Sequence, residues 1–321
     1  MSLSGAKGEI DRAFDGDARG LAFENAFAGA MSFLRRRYTK DLTGVDLVVT
    51  GIPFDQAVTH RSGARMGPRA IREASCLQPF DPPYGWNGFD PLSEFTIADY
   101  GDVAFDYAHT PSFPGLVTDH IAHILAAGVG TVGFGGDHFV TLPILRAYAA
   151  NYGPMSVVQF DAHSDLWPDD DPDRIDHGTF MYKAVKEGIV DVTRSLQVGI
   201  RTECADYLGM PYIDARTCHE KGVGFVVDTI KSRVGNHPTY ITFDIDGLDP
   251  AFAPGTGTPV WGGLASWQVA AILRDLAGIN LVGGDVVEVA PAYDMTGATA
   301  VAAAHVAMEL CCLALWNKRI K

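Results

Sequence analysis

The sequence predicts an α/β fold of three layers, in which a mainly parallel β-sheet lies between two layers of helices. Short apolar runs of strand type alternate along the chain with longer segments of helical periodicity. The predicted strands are apolar throughout instead of alternating with polar residues, which is typical of strands buried on both faces. Acidic residues and histidines directly follow several of these strands. Ligands in open parallel sheets collect outside the carboxyl ends of the strands, so a site is expected there.

Local signals place the predicted elements in chain order. The first buried strand ends at a glycine and a proline, and the short helix after it has a proline near its start. A later helix has Leu116, Ile121 and Leu125 on its apolar side and ends at Gly128, which suits a C-cap. The buried strands are predicted at 46–53, 130–134, 157–160, 240–243 and 279–287. The helices are predicted within 63–72 and at 114–128, 142–152, 176–188, 222–234, 265–277 and 298–316.

Length and composition indicate one large domain. The chain has 321 residues, of which 47% are hydrophobic, and this is enough for a large core. Because no Pro/Ser-rich linker divides it, residues 25–321 are predicted to form a single α/β domain. Residues 1–24 are predicted to form a polar, partly disordered arm, since residues 1–20 are rich in Gly and Asp and have no apolar core of the kind found in secretory signals.

The charge balance bears on partners. With 25 basic and 39 acidic residues the net charge is −14, which argues against a nucleic-acid partner and favours a small cationic substrate. The basic run 35–37 is too short for a nucleic-acid patch and is predicted to be a solvated turn. Five cysteines include the vicinal pair Cys311 and Cys312 but no Cys-x-x-Cys spacing, which indicates reduced thiols in a cytoplasmic protein.

The longest apolar stretch, 298–316, approaches the length of a membrane span. It contains His305 and Glu309, which are four residues apart and therefore lie on one face of a helix. Ionisable groups are costly in lipid, so this segment is predicted to be a packed helix of the core, and no membrane partner is expected.

Three predicted strands end in residues that commonly bind metals. The strand at 157–160 leads into an Asp-x-His-x-Asp triplet, and in an extended chain every second side chain points to the same side. One such triplet is as often a solvated strand end as a metal site. Two further predicted strands end in residues of the same chemistry, Asp244 with Asp246 and His138 after Gly-Gly-Asp, and the three strand ends together predict a centre for two metal ions. The six candidate ligands are His138, Asp161, His163, Asp165, Asp244 and Asp246.

The ligand types narrow the choice of metal. Imidazole with several carboxylates and no thiolate suits Mn²⁺ or a similar ion better than a structural zinc site. Four carboxylates would balance the charge of two dications. Such a pair can lower the pKa of a bound water from about 15.7 toward neutrality and so supply hydroxide.

These residues resemble the signatures of the ureohydrolases, the arginase and agmatinase family. The signatures are Phe-Gly-Gly-Asp-His at 134–138, Asp-Ala-His-Ser-Asp at 161–165 and Thr-Phe-Asp-Ile-Asp-Gly-Leu-Asp-Pro at 242–250. The segments 176–179, 249–259 and 285–294 are similar to bacterial members of the agmatinase branch in particular. The likeness extends from Asn25 to the last helix. Gly247, where many relatives have cysteine, departs from the pattern but is not a ligand position.

The resemblance implies an arginase-like sheet of eight strands, assembly into homotrimers or homohexamers, and two Mn²⁺ ions per chain. Two of the aspartates, Asp161 and Asp244, would bridge the ions. One ion would be held by His138, Asp161, Asp165 and Asp244, and the other by His163, Asp161, Asp244 and Asp246.

The resemblance also implies catalytic roles. Asp165 would hydrogen-bond the hydroxide and pass its proton to the departing amine, while His177, with an ordinary pKa of about 6.5, would relay protons to solvent. Glu288 would bind the guanidinium group through charge-assisted hydrogen bonds. The implied activity is hydrolysis of a guanidino group to urea and an amine, with agmatine giving putrescine and urea as the first expectation.

Several alternatives remain open from the sequence. A guanidinobutyrase or guanidinopropionase would use the same metals and differ only in the tail of its substrate. A single-zinc deacetylase-like enzyme has a similar fold, but the Gly-Gly-Asp setting of His138 speaks against it. A non-catalytic assembly stabilised by metal is the third alternative.

The sequence leaves the substrate channel undefined. The acidic loop at 169–173 is predicted to be solvated and to border the channel. Arg61, Arg65 and Arg174 are also candidates to line it. Arg69 and Arg72 are predicted instead to be surface or intersubunit salt-bridge groups.

Overall fold

The central β-sheet consists of eight parallel strands. A computed structural model describes residues 26–79 and 81–319, so the predicted arm at 1–24 lies outside the described residues. The strand order is β2-β1-β3-β8-β7-β4-β5-β6, which confirms the predicted parallel α/β architecture. The strands are β1 (Leu47–Ile52), β2 (Ile97–Asp102), β3 (Gly130–Gly135), β4 (Ser156–Phe160), β5 (Leu196–Ile200), β6 (Tyr212–Asp214), β7 (Thr239–Asp244) and β8 (Leu281–Val287).

Helices cover both faces of this sheet. The first face packs against α1, α6, α7 and α8, and the second against α3, α4 and α5, so apolar strand residues are buried in two separate core clusters. The helices are α1 (Gly67–Ala74), α2 (Pro91–Glu94), α3 (Phe113–Ala126), α4 (Thr141–Tyr152), α5 (Phe180–Lys186), α6 (Ala215–Val234), α7 (Ser266–Asp275) and α8 (Ala298–Arg319).

The structure adds elements that the sequence pattern did not indicate. Strands β2, β5 and β6 were not predicted, because β2 contains two aspartates, β5 has a glutamine among its five residues and β6 has only three residues. Helix α6 begins seven residues before its predicted start at 222, where Asp214 accepts a hydrogen bond from the Thr217 N–H at 2.6 Å. Gly222, at φ 79°, interrupts the helix, so the sequence pattern did not indicate the part that precedes it.

Helix α8 is a helix of the core, as predicted. By length and composition alone it could cross a membrane, but 78% of its most apolar 18-residue segment is buried inside the structure. Its Glu309 carboxylate accepts hydrogen bonds from the Trp86 indole at 2.5 Å and from the Arg274 guanidinium at 2.8 Å. The buried charge is therefore paired within the protein.

Three arginines predicted to be peripheral are buried. Arg35 and Arg36 are each 1% exposed, so the predicted solvated turn is wrong. Arg35 donates to the Ala28 carbonyl at 2.8 Å. Arg72 is 6% exposed and forms ion pairs with Asp99 at 2.8 Å and Asp102 at 2.7 Å, which corrects the surface or intersubunit prediction. For Arg72 the deciding partners lie on β2, about 30 residues along the chain.

The strand order brings the predicted site together. Strands β3, β8, β7 and β4 are neighbours in the middle of the sheet. In their register Phe160 lies beside Phe243, while Phe134 and Phe243 both lie beside Val286. Because the strands are parallel and in step, the residues that follow them meet at one edge.

Candidate active site

The six predicted metal ligands meet at the carboxyl edge of the sheet. Five of them are buried, and only the His163 side chain, 25% exposed, reaches solvent appreciably. Two groups form. The first centres on His138, whose Nδ1 lies 3.1 Å from Asp161, 3.0 Å from Asp165 and 3.2 Å from Asp244. In the second, His163 Nδ1 lies 3.5 Å from Asp161 and 3.1 Å from Asp246.

These spacings fit bound cations. Ligand atoms held about 2.1 Å from one ion are separated by about 3.0–3.4 Å in octahedral or tetrahedral coordination. His138 Nδ1 is buried and close to three carboxylates, yet it is in hydrogen-bond geometry with none of them. A buried imidazole nitrogen without a hydrogen bond is costly, whereas a cation among these oxygens would use its lone pair. The residues present therefore fit a metal centre.

Second-layer hydrogen bonds orient His138. Its Nε2 lies 2.9 Å from the Thr242 hydroxyl, which donates to the buried Asp285 carboxylate at 2.6 Å. A hydroxyl that donates to a carboxylate accepts from the imidazole, so the ring proton is on Nε2. This arrangement leaves Nδ1 free to bind a metal, as outer partners of metal-bound histidines commonly do.

Asp161 is the residue shared by the two groups. Its Oδ1 accepts from the His163 N–H at 2.6 Å and its Oδ2 from the Gln159 amide at 2.7 Å. Asp244 belongs to the first group, where its Oδ2 lies beside His138, and its Oδ1 accepts from the Asp246 N–H at 2.8 Å. Asp161 therefore lies between the two groups, and its bridging of two ions, like that of Asp244, stays a prediction.

The electrostatics indicate an excess of negative charge. Burial and the neighbouring Asp246 and Asp161 charges raise the pKa of Asp244 well above its usual range. Burial and the Asp161 charge likewise raise the pKa of Asp165 to about 6. Burial lowers the pKa of His163, but Asp246 and Asp161 outweigh it and bring that pKa to about 12. Without bound dications, proton uptake by these groups is favoured, because it offsets the negative charge of the carboxylates.

Asp165 and Glu288 both adopt positive φ angles, 52° and 62°. Non-glycine residues seldom adopt this left-handed conformation, and it is concentrated at functional sites. Each residue turns the chain just outside a strand, β4 or β8, so that its carboxylate points into the site. No sequence signal indicated these turns.

A second cluster joins Glu288 to His177. Glu288 Oε1 accepts from the His138 backbone N–H at 2.9 Å and lies 2.8 Å from His177 Nδ1. Glu288 Oε2 is buried and without a partner. On its other side, His177 Nε2 lies 3.1 Å from the Thr59 N–H nitrogen and 3.0 Å from the Thr59 hydroxyl. Burial lowers the pKa of His177, but the Glu288 carboxylate outweighs it and raises that pKa to about 9.

A cavity of about 390 Å³ connects both clusters to solvent. Its lining includes Asp165, His163, His177 and Thr59, with Trp167 and Arg174 farther out. A larger cavity of about 560 Å³ lies between α7 and α8, but its described lining is mainly apolar and includes none of the predicted site residues. The chemistry therefore belongs to the smaller cavity.

Of the three candidate channel arginines, Arg174 is the one that lines this cavity. Arg65 pairs with Asp55, and Arg61 lies 5.1 Å from the centre of the Tyr293 ring. In the loop at 169–173, Asp169 is buried and pairs with Lys183 at 3.0 Å, so this part of the loop is not solvated as predicted.

Sequence reasoning missed several supporting residues. Thr242 and Asp285 lie within the signature segments, and their nearness in sequence to the predicted site residues could have indicated a supporting role. Asp137, next to His138, accepts from the Ala57 N–H at 2.9 Å. Thr59 carried no signal, because it meets His177 across 118 residues of chain.

Comparison with known proteins identifies the family. The model of the arginase family matches residues 45–312. The chain belongs to the arginase family. It is therefore a hydrolase of the ureohydrolase type, which acts on guanidino substrates.

Other members of the arginase family are similar over almost the whole chain. The agmatinase of Chromobacterium violaceum is 52% identical over 303 residues, which cover 94% of this chain and 93% of that one. The crystal structure of a hypothetical agmatinase from Burkholderia thailandensis has a TM-score of 0.92 and 52% identity, covering 97% of this chain and 99% of that one. Proclavaminate amidino hydrolase from Streptomyces clavuligerus has a TM-score of 0.86 and 36% identity, with 91% and 99% covered. The predicted family is thus confirmed.

Proposed function

We propose that this protein is an agmatinase that uses two Mn²⁺ ions per chain to hydrolyse agmatine to putrescine and urea. The observation that carries the proposal is Glu288, a buried carboxylate with one unpartnered oxygen, beside two groups of metal-ligand type. A guanidinium group is a planar cation with several N–H donors, and a carboxylate is its natural partner. The relatives named agmatinase support agmatine as the substrate.

The ligand sets proposed for the ions are those of the sequence analysis. The first ion would be held by His138, Asp161, Asp165 and Asp244, and the second by His163, Asp161, Asp244 and Asp246. Bound there, the ions would supply hydroxide near neutral pH and offset the carboxylate charge. Imidazole and carboxylate ligands without thiolate favour Mn²⁺.

The chain's own residues then hold the substrate and move protons. Glu288 binds the guanidinium group through Oε2, since its Oε1 is already engaged by His138 and His177. Glu288 lies behind His177, which lines the cavity together with Asp165, so this contact would hold the guanidino carbon near Asp165. Asp165 takes a proton from the attacking oxygen and delivers it to the departing amine. His177 carries protons between the site and the cavity.

The outer part of the cavity bears on the substrate tail. Arg174 could attract a carboxylate tail, but its guanidinium is paired with Asp176 at 2.9 Å and lies 3.9 Å from Asp169. Because Asp169 is also paired with Lys183 at 3.0 Å, it is mainly the pairing of Arg174 with Asp176 that weakens its attraction for a carboxylate tail and so favours an ammonium tail. Trp167, half exposed at the cavity wall, offers an apolar surface to the four-carbon chain of agmatine.

We further propose that the protein works in the cytoplasm as a homotrimer or homohexamer and that it acts on a small cationic guanidino substrate with neither nucleic acid nor membrane as a partner. The reduced thiols support the cytoplasmic location, and the acidic net charge supports a cationic substrate and argues against nucleic acid. The assembly rests on the family resemblance. Size-exclusion chromatography with light scattering tests the assembly, and a monomer at micromolar concentration would contradict it.

The test of function is a substrate panel with added Mn²⁺. Agmatine, 4-guanidinobutyrate, 3-guanidinopropionate and arginine are assayed for urea, and the highest kcat/KM is expected with agmatine. If 4-guanidinobutyrate is turned over tenfold better, the protein is a guanidinobutyrase and the agmatinase proposal fails. Bound metal without urea release from any compound would instead favour a non-catalytic assembly. Hydrolysis of an acetylated amine with a single zinc ion, without urea release, would favour the deacetylase-like alternative.

A further inference from the structure

Thr59 contacts His177 through two different groups. Its backbone N–H is aimed at Nε2, with the two nitrogens 3.1 Å apart, and its hydroxyl oxygen lies 3.0 Å from the same nitrogen. A backbone N–H can only donate, so Nε2 accepts and carries no proton in this arrangement. The ring proton is therefore on Nδ1, where it is donated to Glu288 Oε1 at 2.8 Å.

This pairing limits how His177 can carry a second proton. When Nε2 becomes protonated, the Thr59 N–H faces an N–H and its hydrogen bond is lost. The Thr59 hydroxyl is different, because a hydroxyl both donates and accepts. It can rotate about its C–O bond and accept from the new Nε2–H without any movement of the backbone. The hydroxyl is redundant for the neutral ring but needed by the imidazolium ion.

The loop around Thr59 is held firmly in place. The Ala57 carbonyl accepts from the His177 N–H at 3.2 Å, and the Ala57 N–H donates to the buried Asp137 at 2.9 Å. Asp55 accepts from the Gly63 N–H at 2.7 Å and so closes the loop. Thr59 also lines the cavity that opens to solvent. Its hydroxyl is thus prepositioned between His177 and water.

We propose that Thr59 is a positioning residue whose hydroxyl accepts the Nε2 proton of His177 and so allows this histidine to carry a proton during turnover. The inference rests on the proposed function for the role of His177. It goes beyond it in assigning the group that stabilises the protonated ring on its solvent side.

Other charges around His177 must be kept constant in the test. Glu288 contacts the ring directly, and the carboxylates of Asp165 and Asp137 favour its protonated form. Arg174 and Asp176 line the same cavity. None of these groups is altered by a substitution at Thr59, so a change in the titration of His177 reports on the hydroxyl.

The experiment compares T59V, which removes only the hydroxyl, with T59S, which retains it. S62A is the matched control, since Ser62 is an exposed hydroxyl residue in the same loop. The full-length protein is labelled with ¹⁵N-histidine and loaded with Mg²⁺, a diamagnetic dication, and the imidazole nitrogens are titrated. The His177 signal is the one missing in H177N. In parallel, kcat and KM for agmatine are measured against pH with Mn²⁺.

T59V is expected to lower the pKa of His177 by about half a unit to one unit, because solvent at this exposed residue replaces part of the lost hydrogen bond to the imidazolium ion. The limb of the kcat profile that disappears in H177N should move to lower pH by the same amount. Loss of the acceptor should reduce kcat roughly three- to tenfold, with KM little changed. T59S and S62A should keep the wild-type pKa and kcat.

An unchanged or raised pKa of His177 in T59V would overturn the inference, as would equal effects in T59V and T59S or in S62A. Thermal unfolding of each variant shows whether the fold is retained, and a T59V that unfolds is replaced by T59A. Failure of the proposed function is distinguishable, because wild-type protein would then release no urea while the imidazole titration still reports on Thr59.

Discussion

Replacing Glu288 by glutamine tests how the substrate is held. The glutamine side chain keeps the shape of glutamate but loses the negative charge. In the structure one carboxylate oxygen accepts from the His138 N–H and from His177, at 2.9 and 2.8 Å, while the other is unpartnered. A glutamine amide has only one oxygen, so it can adopt one of two orientations here. If its oxygen keeps the two existing bonds, its NH₂ group faces the guanidinium group, donor against donor. In the opposite orientation both existing bonds are broken.

The expected loss in kcat/KM follows from the hydrogen bonds lost in either orientation. A hydrogen bond to a charged partner contributes about 1.5–3 kcal/mol, and about 1.4 kcal/mol corresponds to a factor of ten. We expect E288Q to lose roughly ten- to a hundredfold in kcat/KM. The metals should remain, because Glu288 touches His138 only through the backbone. The Glu288 carboxylate also raises the pKa of His177 to about 9 against the effect of burial, so that pKa should fall in E288Q.

The assay combines steady-state urea release with metal content per chain and thermal unfolding. E309Q is the matched control, since it removes a buried glutamate charge that pairs with Arg274 and lines the other cavity. E309Q should lose stability but keep its kcat/KM. Loss of metal from E288Q would make Glu288 a ligand and refute the reasoning, and an unchanged kcat/KM would refute its substrate contact.

Three further predictions concern the metals and the fold. Chelation should abolish urea release and Mn²⁺ should restore it with two ions per chain by elemental analysis, whereas full activity with one ion per chain would exclude the binuclear scheme. Asp161 lies between both groups, so D161N should lose metal and turnover together; a variant that keeps two ions and near-normal kcat would show that the bridge is misassigned. A Cβ at Gly136 would lie 1.6 Å from the Phe54 carbonyl oxygen, so G136A should lower the free energy of unfolding by more than about 2 kcal/mol. G115A is its control, because that position on α3 is open and the change there should be neutral or stabilising by about 0.5–1 kcal/mol in urea denaturation.

The sequence by itself determined the architecture and the chemistry of the site. Five central or near-central strands were evident from their continuous apolar runs, because strands buried on both faces need apolar side chains throughout. The three strand ends also supplied all six residues that meet in the two metal-ligand groups. These are local signals: a strand and the residue after it are neighbours in the chain.

Only the tertiary structure decided the contacts between distant segments. Arg72 is charged in any sequence reading, and its partner inside the fold, Asp99, lies 27 residues away on β2. The same holds for the site. His177 meets Glu288 across 111 residues and Thr59 across 118, and positive φ angles at Asp165 and Glu288 aim their carboxylates. Periodicity and spacing relate residues that are only a few positions apart in the chain. Hydrogen-bond partners and protonation states depend on how segments that are far apart in sequence pack together.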